Sequence, residues 1–258
     1  MTFDGVLLDI DGVLATSWEA LPGAIDALAR LRDEEVPFRL ITNTTTKSRA
    51  DLAATLRGAG FDVSDEEIVT AVVATAEHLG RQHPGAPVFV LSDGDATADL
   101  VGIELVDVDD ADVIVIGGAC DDFTYETMNR VFRRLMDGAA LVGMHRNLFW
   151  KTAAGWELDG GAYLAGLEEA ADTRAAICGK PEKTYFDAGL AMLGVEADRA
   201  AMVGDDIVND ILGAQAAGLT GVLVRTGKYR AGDEDRDDGR PDHVLESFAD
   251  VPAFLGSL

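Results

Sequence analysis

The chain has 258 residues, enough for one large domain or two modest ones, and 48% of them are hydrophobic, ample for a packed core. Its net charge is −25, from 46 acids against 21 bases of which only five are lysines, and such a surface repels nucleic acid and anionic membranes and argues against both as partners. No apolar run is long enough to span a membrane, no basic and apolar leader precedes the first strand, and two cysteines with four scattered histidines make neither a disulfide framework nor a zinc ligand set. The expectation is a cytoplasmic protein. The acids are spread along the chain and not gathered in a tail, which points to an acidic, halophilic protein: in molar salt, self-repulsion is screened within about 3 Å.

The first predicted element is a short apolar run at 6–8, read as a buried strand that ends in Asp9 and Asp11. Strand side chains alternate, so two acids at i and i+2 share a side. They repel, and a divalent cation that prefers oxygen donors, Mg²⁺, is the usual partner. Gly12 lets the chain leave sharply. Taken alone, the same letters are equally a polar exit from a strand. A loop is expected over 15–21, then a helix over 22–32 with Ile25, Leu28 and Leu31 on its buried face. A strand over 37–41 ends in Thr42, Asn43 and Thr44. Helices follow over 48–59 and 71–81, with a capping box at Ser64 and Glu67 before a short strand or helix at 68–69.

A connector at 82–86 precedes a second α/β rhythm, with strands at 88–91, 113–116 and 141–143 and helices at 124–137 and 161–171. The acids Asp93 and Asp95 after the strand at 88–91 are read as a helix start, and Asp121 with Asp122 as a helix cap. The rhythm then resumes with a strand at 175–178, Lys180, a helix over 184–193, and a strand at 200–203 ending in Asp205 and Asp206. A helix over 207–217 carries Asp210. A strand at 222–224, a charged loop over 231–240 and a final helix complete the chain. Alternating strands and helices imply parallel βαβ units, whose ligands sit beyond the C-terminal strand ends.

Four such ends carry chemistry in order: Asp9 with Asp11, Thr42 with Asn43, Lys180, and Asp205 with Asp206 and Asp210. Phosphoryl transfer needs a nucleophile, a metal and neutralisation of the phosphoryl oxygens. A carboxylate can be the nucleophile, a hydroxyl and a backbone N–H can hold phosphate oxygens, a lysine is a point cation, and Asp205 would complete a Mg²⁺ shell. Singly, Thr42 is equally a turn cap, Lys180 a loop lysine and Asp205–Asp206 a helix cap. A receiver-like signalling domain uses similar residues, but the long insert between Thr42 and Lys180 argues against it. A phosphotransferase or mutase acting on the same chemistry is the closer alternative.

These four segments, at 8–12, 41–44, 179–183 and 203–210, resemble the motifs of the haloacid dehalogenase superfamily, in particular its subfamily IIA phosphatases with a C2-type cap. The stretches 44–48 and 224–229 resemble one branch of it. The resemblance implies an α/β fold: a Rossmann-like core at 1–79 and 177–258 with a parallel sheet, and an inserted α/β cap at 80–176. It implies a Mg²⁺-dependent phosphatase acting on small soluble phosphate compounds, with room for a homo-oligomer. Asp9 would be the nucleophile and Asp11 the acid/base. Thr42, Asn43, Thr44 and Lys180 would hold the phosphoryl group. Mg²⁺ would sit between Asp9, the backbone carbonyl of Asp11, and Asp205, with Asp206 and Asp210 orienting its shell. Residues 143–151 depart from the Asn-x-Asp pattern of many relatives. There His145, Arg146 and Lys151 offer donors and Phe149 and Trp150 flat apolar surface, either for reading the leaving group or for the cap's own core.

Overall fold

A computed structural model describes residues 3–94, 96–152 and 155–257. The chain opens with β1 (Gly5–Asp9), a small hairpin of β2 (Ala15–Thr16) and β3 (Glu19–Ala20), α1 (Ala24–Asp33), β4 (Phe38–Thr42), α2 (Arg49–Gly58) and β5 (Ile68–Thr70). There follow α3 (Ala71–Gln82), β6 (Val88–Leu91), β7 (Val113–Ile116), α4 (Tyr125–Met136), β8 (Ala140–Gly143), β9 (Phe149–Thr152), β10 (Gly155–Leu158), α5 (Gly160–Ala171) and β11 (Ala176–Ile177). The last part holds α6 (Lys183–Leu193), β12 (Ala200–Gly204), a wide π turn (Ile207–Leu212), α7 (Gly213–Ala217), β13 (Thr220–Val224), β14 (His243–Leu245) and α8 (Val251–Leu255).

Two compact units result. The first comprises the chain up to Thr42, Arg49–Val69, and everything from Lys180 on; the second comprises Asn43–Ser48 and Thr70–Gly179. In the first, a six-stranded sheet runs β14-β13-β12-β1-β4-β5, and β1 pairs in parallel with both β12 and β4. All five residues of β1 are buried, which accounts for its unbroken apolar run up to Asp9: a parallel strand covered on both faces has no polar side. The chain winds outward from β1 to β5 on one side and from β12 to β14 on the other, so strand order reverses between β1 and β12. That reversal leaves a crevice beyond the strand ends, and Asp9 ends one of these strands while Asp205 follows the other.

The helix over 24–33 buries Ala24, Ala27, Leu28 and Leu31, whereas Ile25 is exposed, so the apolar face lies one residue round from the expected one. The expected loop over 15–21 is partly the β2–β3 hairpin. The expected helix over 207–217 begins as a π turn, because Asp210 folds back to bind the start of its own turn.

The second unit is built on a parallel sheet in the order β11-β8-β7-β6, beside the β9–β10 hairpin. Helix α3 packs Ala71, Val72 and Leu79 against Val88, Val113 and Val142 of this sheet, so this unit takes in residues from 70, ahead of the connector at 82–86. Thr124, and not the Asp121–Asp122 pair, caps α4: its side chain accepts the N–H of Thr127 at 3.1 Å. Asp93 precedes a short 3-10 turn (Ala96–Asp99), and its neighbour Asp95 lies outside the described residues.

Candidate active site

The first unit gathers Asp9, Thr42, Lys180, Asp205 and Asp210 as buried side chains, with Asp11 partly buried. Each reaches its place for a local reason. Asp9 is the last residue of β1, and its register partner on β4 is Ile41, so Thr42 lies one residue beyond it on the neighbouring strand. Lys180 opens the chain's return to this unit, and its ammonium lies 2.7 Å from Asp9 Oδ1 and 2.7 Å from Asp210 Oδ1. Asp210 reaches back so that its Oδ2 accepts the N–H groups of Asp205 at 3.2 Å and Asp206 at 3.0 Å. Gly204 makes this close approach feasible, since a Cβ there would fall 2.2 Å from Asp210 Cβ. Asp206 caps the π turn, accepting from the N–H of Val208 and of Asn209, and Asn209 Nδ2 lies 2.8 Å from its second oxygen. The helix-cap reading of Asp205–Asp206 therefore holds for Asp206 alone.

Asp205 sits in a cradle of two glycines. Gly12 and Gly227 both have positive φ, 82° and 58°, and a Cβ on either would strike Asp205 Oδ2, at 1.9 Å and 1.8 Å. The same Oδ2 accepts the backbone N–H of Lys228 at 2.6 Å, and Thr226 Oγ1 donates to the carbonyl of Gly12, tying the two turns together. Asp205 Oδ1 is buried with no hydrogen-bond partner among the described residues.

One buried lysine thus pairs with two of three buried carboxylates. Burial pushes Asp9 upward against the opposing pull of Lys180, and burial with the charges of Asp9 and Asp210 pushes Asp205 well above the usual carboxylate range. Burial and Asp9 push Asp210 up to about 7. Burial alone would lower the Lys180 ammonium, but Asp210 and Asp9 outweigh it and hold the group charged. Asp206 goes the other way: despite burial, half-exposed Lys228 and the cap hydrogen bonds hold it below its ordinary value.

The arrangement suits a hard cation. Carboxylate oxygens of Asp9, Asp205 and Asp210 come within 4.8 Å of one another, Asp205 Oδ1 is an orphaned buried acceptor, and the donor set is all oxygen. Asp210 joins Asp9 and Asp205 as the third side chain of this set, while the contribution expected of Asp11 is a backbone carbonyl. Asn43 and Thr44 belong to the second unit and Thr42 with Lys180 to the first. Three residues packed on the site escaped the sequence reading, among them Tyr185, whose hydroxyl lies 3.0 Å from the Thr42 N–H nitrogen. Lys228 and Gly227 had a legible signal, a Gly-Lys pair just past a strand end. Tyr185 had none, because a tyrosine on the apolar face of a helix looks like core.

In the second unit, His145 is buried, its Nδ1 accepts the N–H of Asn147 at 3.2 Å, and its Nε2 faces Asp159 at 3.9 Å. Arg146 makes a two-pronged bond to buried Glu168, both contacts at 2.7 Å. Arg146 is thereby committed to the unit's own framework. Phe149 is half-exposed and stacks edge-on against Trp156 at 5.5 Å, while the side chains of Trp150 and Lys151 lie outside the described residues.

A parallel α/β core interrupted by a second α/β unit, with acids and a lysine converging at its topological switch, defines a hydrolase-type site. A haloacid dehalogenase-like hydrolase model matches residues 6–105, and a HAD-hydrolase-like model matches residues 177–251. The chain is 41% identical over 94% of its length, and 92% of the relative's, to haloacid dehalogenase-like hydrolase domain-containing protein 2 of Homo sapiens. It is 36% identical to the human phospholysine phosphohistidine inorganic pyrophosphate phosphatase, covering 97% of this chain and 93% of that one. Its fold superposes on p-nitrophenyl phosphatase from Archaeoglobus fulgidus with a TM-score of 0.91 at 28% identity, over 100% of both chains. The chain belongs to the haloacid dehalogenase-like hydrolase family, with the α/β core and inserted α/β cap domain of that fold.

Proposed function

We propose that this phosphatase hydrolyses small soluble phosphate compounds with Mg²⁺, through an aspartyl-phosphate on Asp9. The observation that carries the reading is the surplus of buried negative charge around Lys180: three carboxylates, one of them with an orphaned oxygen, converge at the strand ends. Asp9, Asp205 and a backbone carbonyl of Asp11 would hold Mg²⁺, with Asp210 alongside. Bound there, the ion supplies charge neutralisation for the phosphoryl oxygens.

The residues then divide the work. Lys180 binds one oxygen of Asp9, which orients the carboxylate for attack by the other. That oxygen bonds to phosphorus as the ester P–O bond breaks, and Asp11 gives its proton to the leaving oxygen. Asp11 next takes a proton from water. The water oxygen bonds to phosphorus, the Asp9–phosphorus bond breaks, and inorganic phosphate leaves. Thr42, with Asn43 and Thr44, would hold the phosphoryl oxygens. Asp206 and Asp210 keep Asp205 in place through its backbone N–H and the turn they build.

The test is a screen of phosphorylated metabolites, with and without Mg²⁺, followed by acid quench to trap phosphate on Asp9. Release of phosphate only with Mg²⁺, and a labelled Asp9 peptide, are expected. Metal-independent turnover, or transfer of the phosphoryl group to an added sugar instead of water, would favour another reaction.

A further inference from the structure

Tyr185 is a fully buried polar side chain that the reaction as described does not use. It lies in the first turn of α6, five residues after Lys180. Its hydroxyl accepts the N–H of Thr42 at 3.0 Å and lies 2.7 Å from the carbonyl oxygens of both Thr42 and Val69. Those carbonyls belong to β4 and β5, neighbours in the sheet. Thr42 and Val69 are also the residues after which the chain leaves this unit, returning at Arg49 and at Lys180 respectively. A single hydroxyl therefore links both departing strand ends from a helix that starts just past the second return.

Packing alone does not call for this oxygen. The ring sits in the core edge-on to Phe186, 6.3 Å away, where a phenylalanine ring would fill the same volume. A buried tyrosine hydroxyl needs partners, and here all three are main-chain groups at strand ends. The hydroxyl has one proton for two carbonyls at equal distance, so that proton is shared between, or alternates between, the ends of β4 and β5, while the oxygen accepts the Thr42 N–H. Thr42 adjoins Ile41, the register partner of Asp9, so displacement of the β4 end displaces Thr42 relative to Asp9.

We propose that Tyr185 is a positioning residue, whose hydroxyl fixes the ends of β4 and β5 and thereby sets where Thr42 stands next to Asp9. The kinetic part of this inference rests on the phosphatase reading; the structural part does not. Tyr185→Phe should lower kcat for p-nitrophenyl phosphate about ten-fold or more with KM little changed, since small misplacements near a reacting group are costly. Exchange of the Thr42 amide proton should become faster in the variant. Phe186→Leu, which disturbs the same core without removing a hydrogen bond, should lose at least as much melting temperature and keep its kcat. A wild-type kcat in Tyr185→Phe, or an equal kcat loss in Phe186→Leu at matched melting temperature, would overturn the proposal. If the wild-type protein hydrolyses no ester, the phosphatase reading fails, and unchanged Thr42 exchange in Tyr185→Phe would separately defeat the clamp. If Tyr185→Phe does not accumulate, wild-type exchange decides: a Thr42 amide as fast as exposed-loop amides overturns the clamp, and a slow one upholds it.

Discussion

Two ion pairs in this molecule, each made on a buried carboxylate, use the same chemistry to opposite ends. In the second unit, Arg146 meets Glu168 with both prongs, and the N–H of Ala175 adds a third bond at 2.8 Å. One charge answers one charge, every strong acceptor is used, and the Arg146 hydrogen bond, against burial, holds Glu168 below the usual range. In the first unit, Lys180 is shared between Asp9 and Asp210, with Asp205 close by and one of its oxygens orphaned. The carboxylates there are pushed up, not down. A matched pair stiffens a fold; a pair with surplus negative charge stores a preference for a cation.

The same contrast separates two strand ends that look alike in sequence. Asp9 and Asp11 end a strand at the sheet's switch point, with Asp205 following the strand alongside. Asp93 follows β6, the edge strand of the other sheet, and is only partly buried. Among the described residues, only the first position gathers three metal-competent side chains.

The comparison breaks most sharply at Asp9. Asp9→Asn should cut turnover by about 10³-fold or more while far-UV circular dichroism stays native, as for loss of a nucleophile; near-normal turnover would remove the mechanism. Asp11→Asn should cost about 10²–10⁴-fold on alkyl phosphates and less on nitrophenyl phosphate, whose leaving group needs no proton. Equal losses on both esters would remove the acid/base role.

Gly227→Ala tests the cradle. The new methyl would collide with Asp205 Oδ2, so the Mg²⁺ concentration giving half-maximal thermal stabilisation should rise about 10–100-fold. An unchanged midpoint would mean that Asp205 does not hold the ion.

The satisfied pair should respond to pH and not to metal. Because the folded pKa of Glu168 is depressed, its contribution is present above its unfolded value, about 4.3, and is lost as pH falls through the lower folded value. Glu168→Gln should cost about 1–2 kcal/mol at pH 7, a figure reduced because Arg146 is partly exposed. The gap between wild type and variant should close in acid-unfolding curves below that range, and a gap independent of pH would assign the loss to packing. Smallest of all, the melting temperature should climb by a few degrees from 0.1 to 2 M KCl as the net charge of −25 is screened. A flat or falling curve would take away the salt adaptation.

The sequence by itself determined the main strand–helix alternation, though not the hairpins at 15–20 and 149–158, together with the four chemical segments and the family, because hydrophobic period, glycine punctuation and acid spacing are local properties of a chain. It could not decide which acids share a cation. Asp205, Asp210 and Lys180 meet Asp9 only because β12 lies against β1 and because the turn after β12 winds wide enough for Asp210 to fold back. Nor could it separate Arg146, bound into its own framework, from a side chain left for a substrate, since both read as a charged residue in a loop. Gly227 and Tyr185 carry the same lesson: a glycine is a loop residue until Asp205 lies against it, and a tyrosine is core until two strand ends meet at its hydroxyl. Contacts between residues far apart in the chain belong to the folded structure, and charge balance, unlike charge, exists only there.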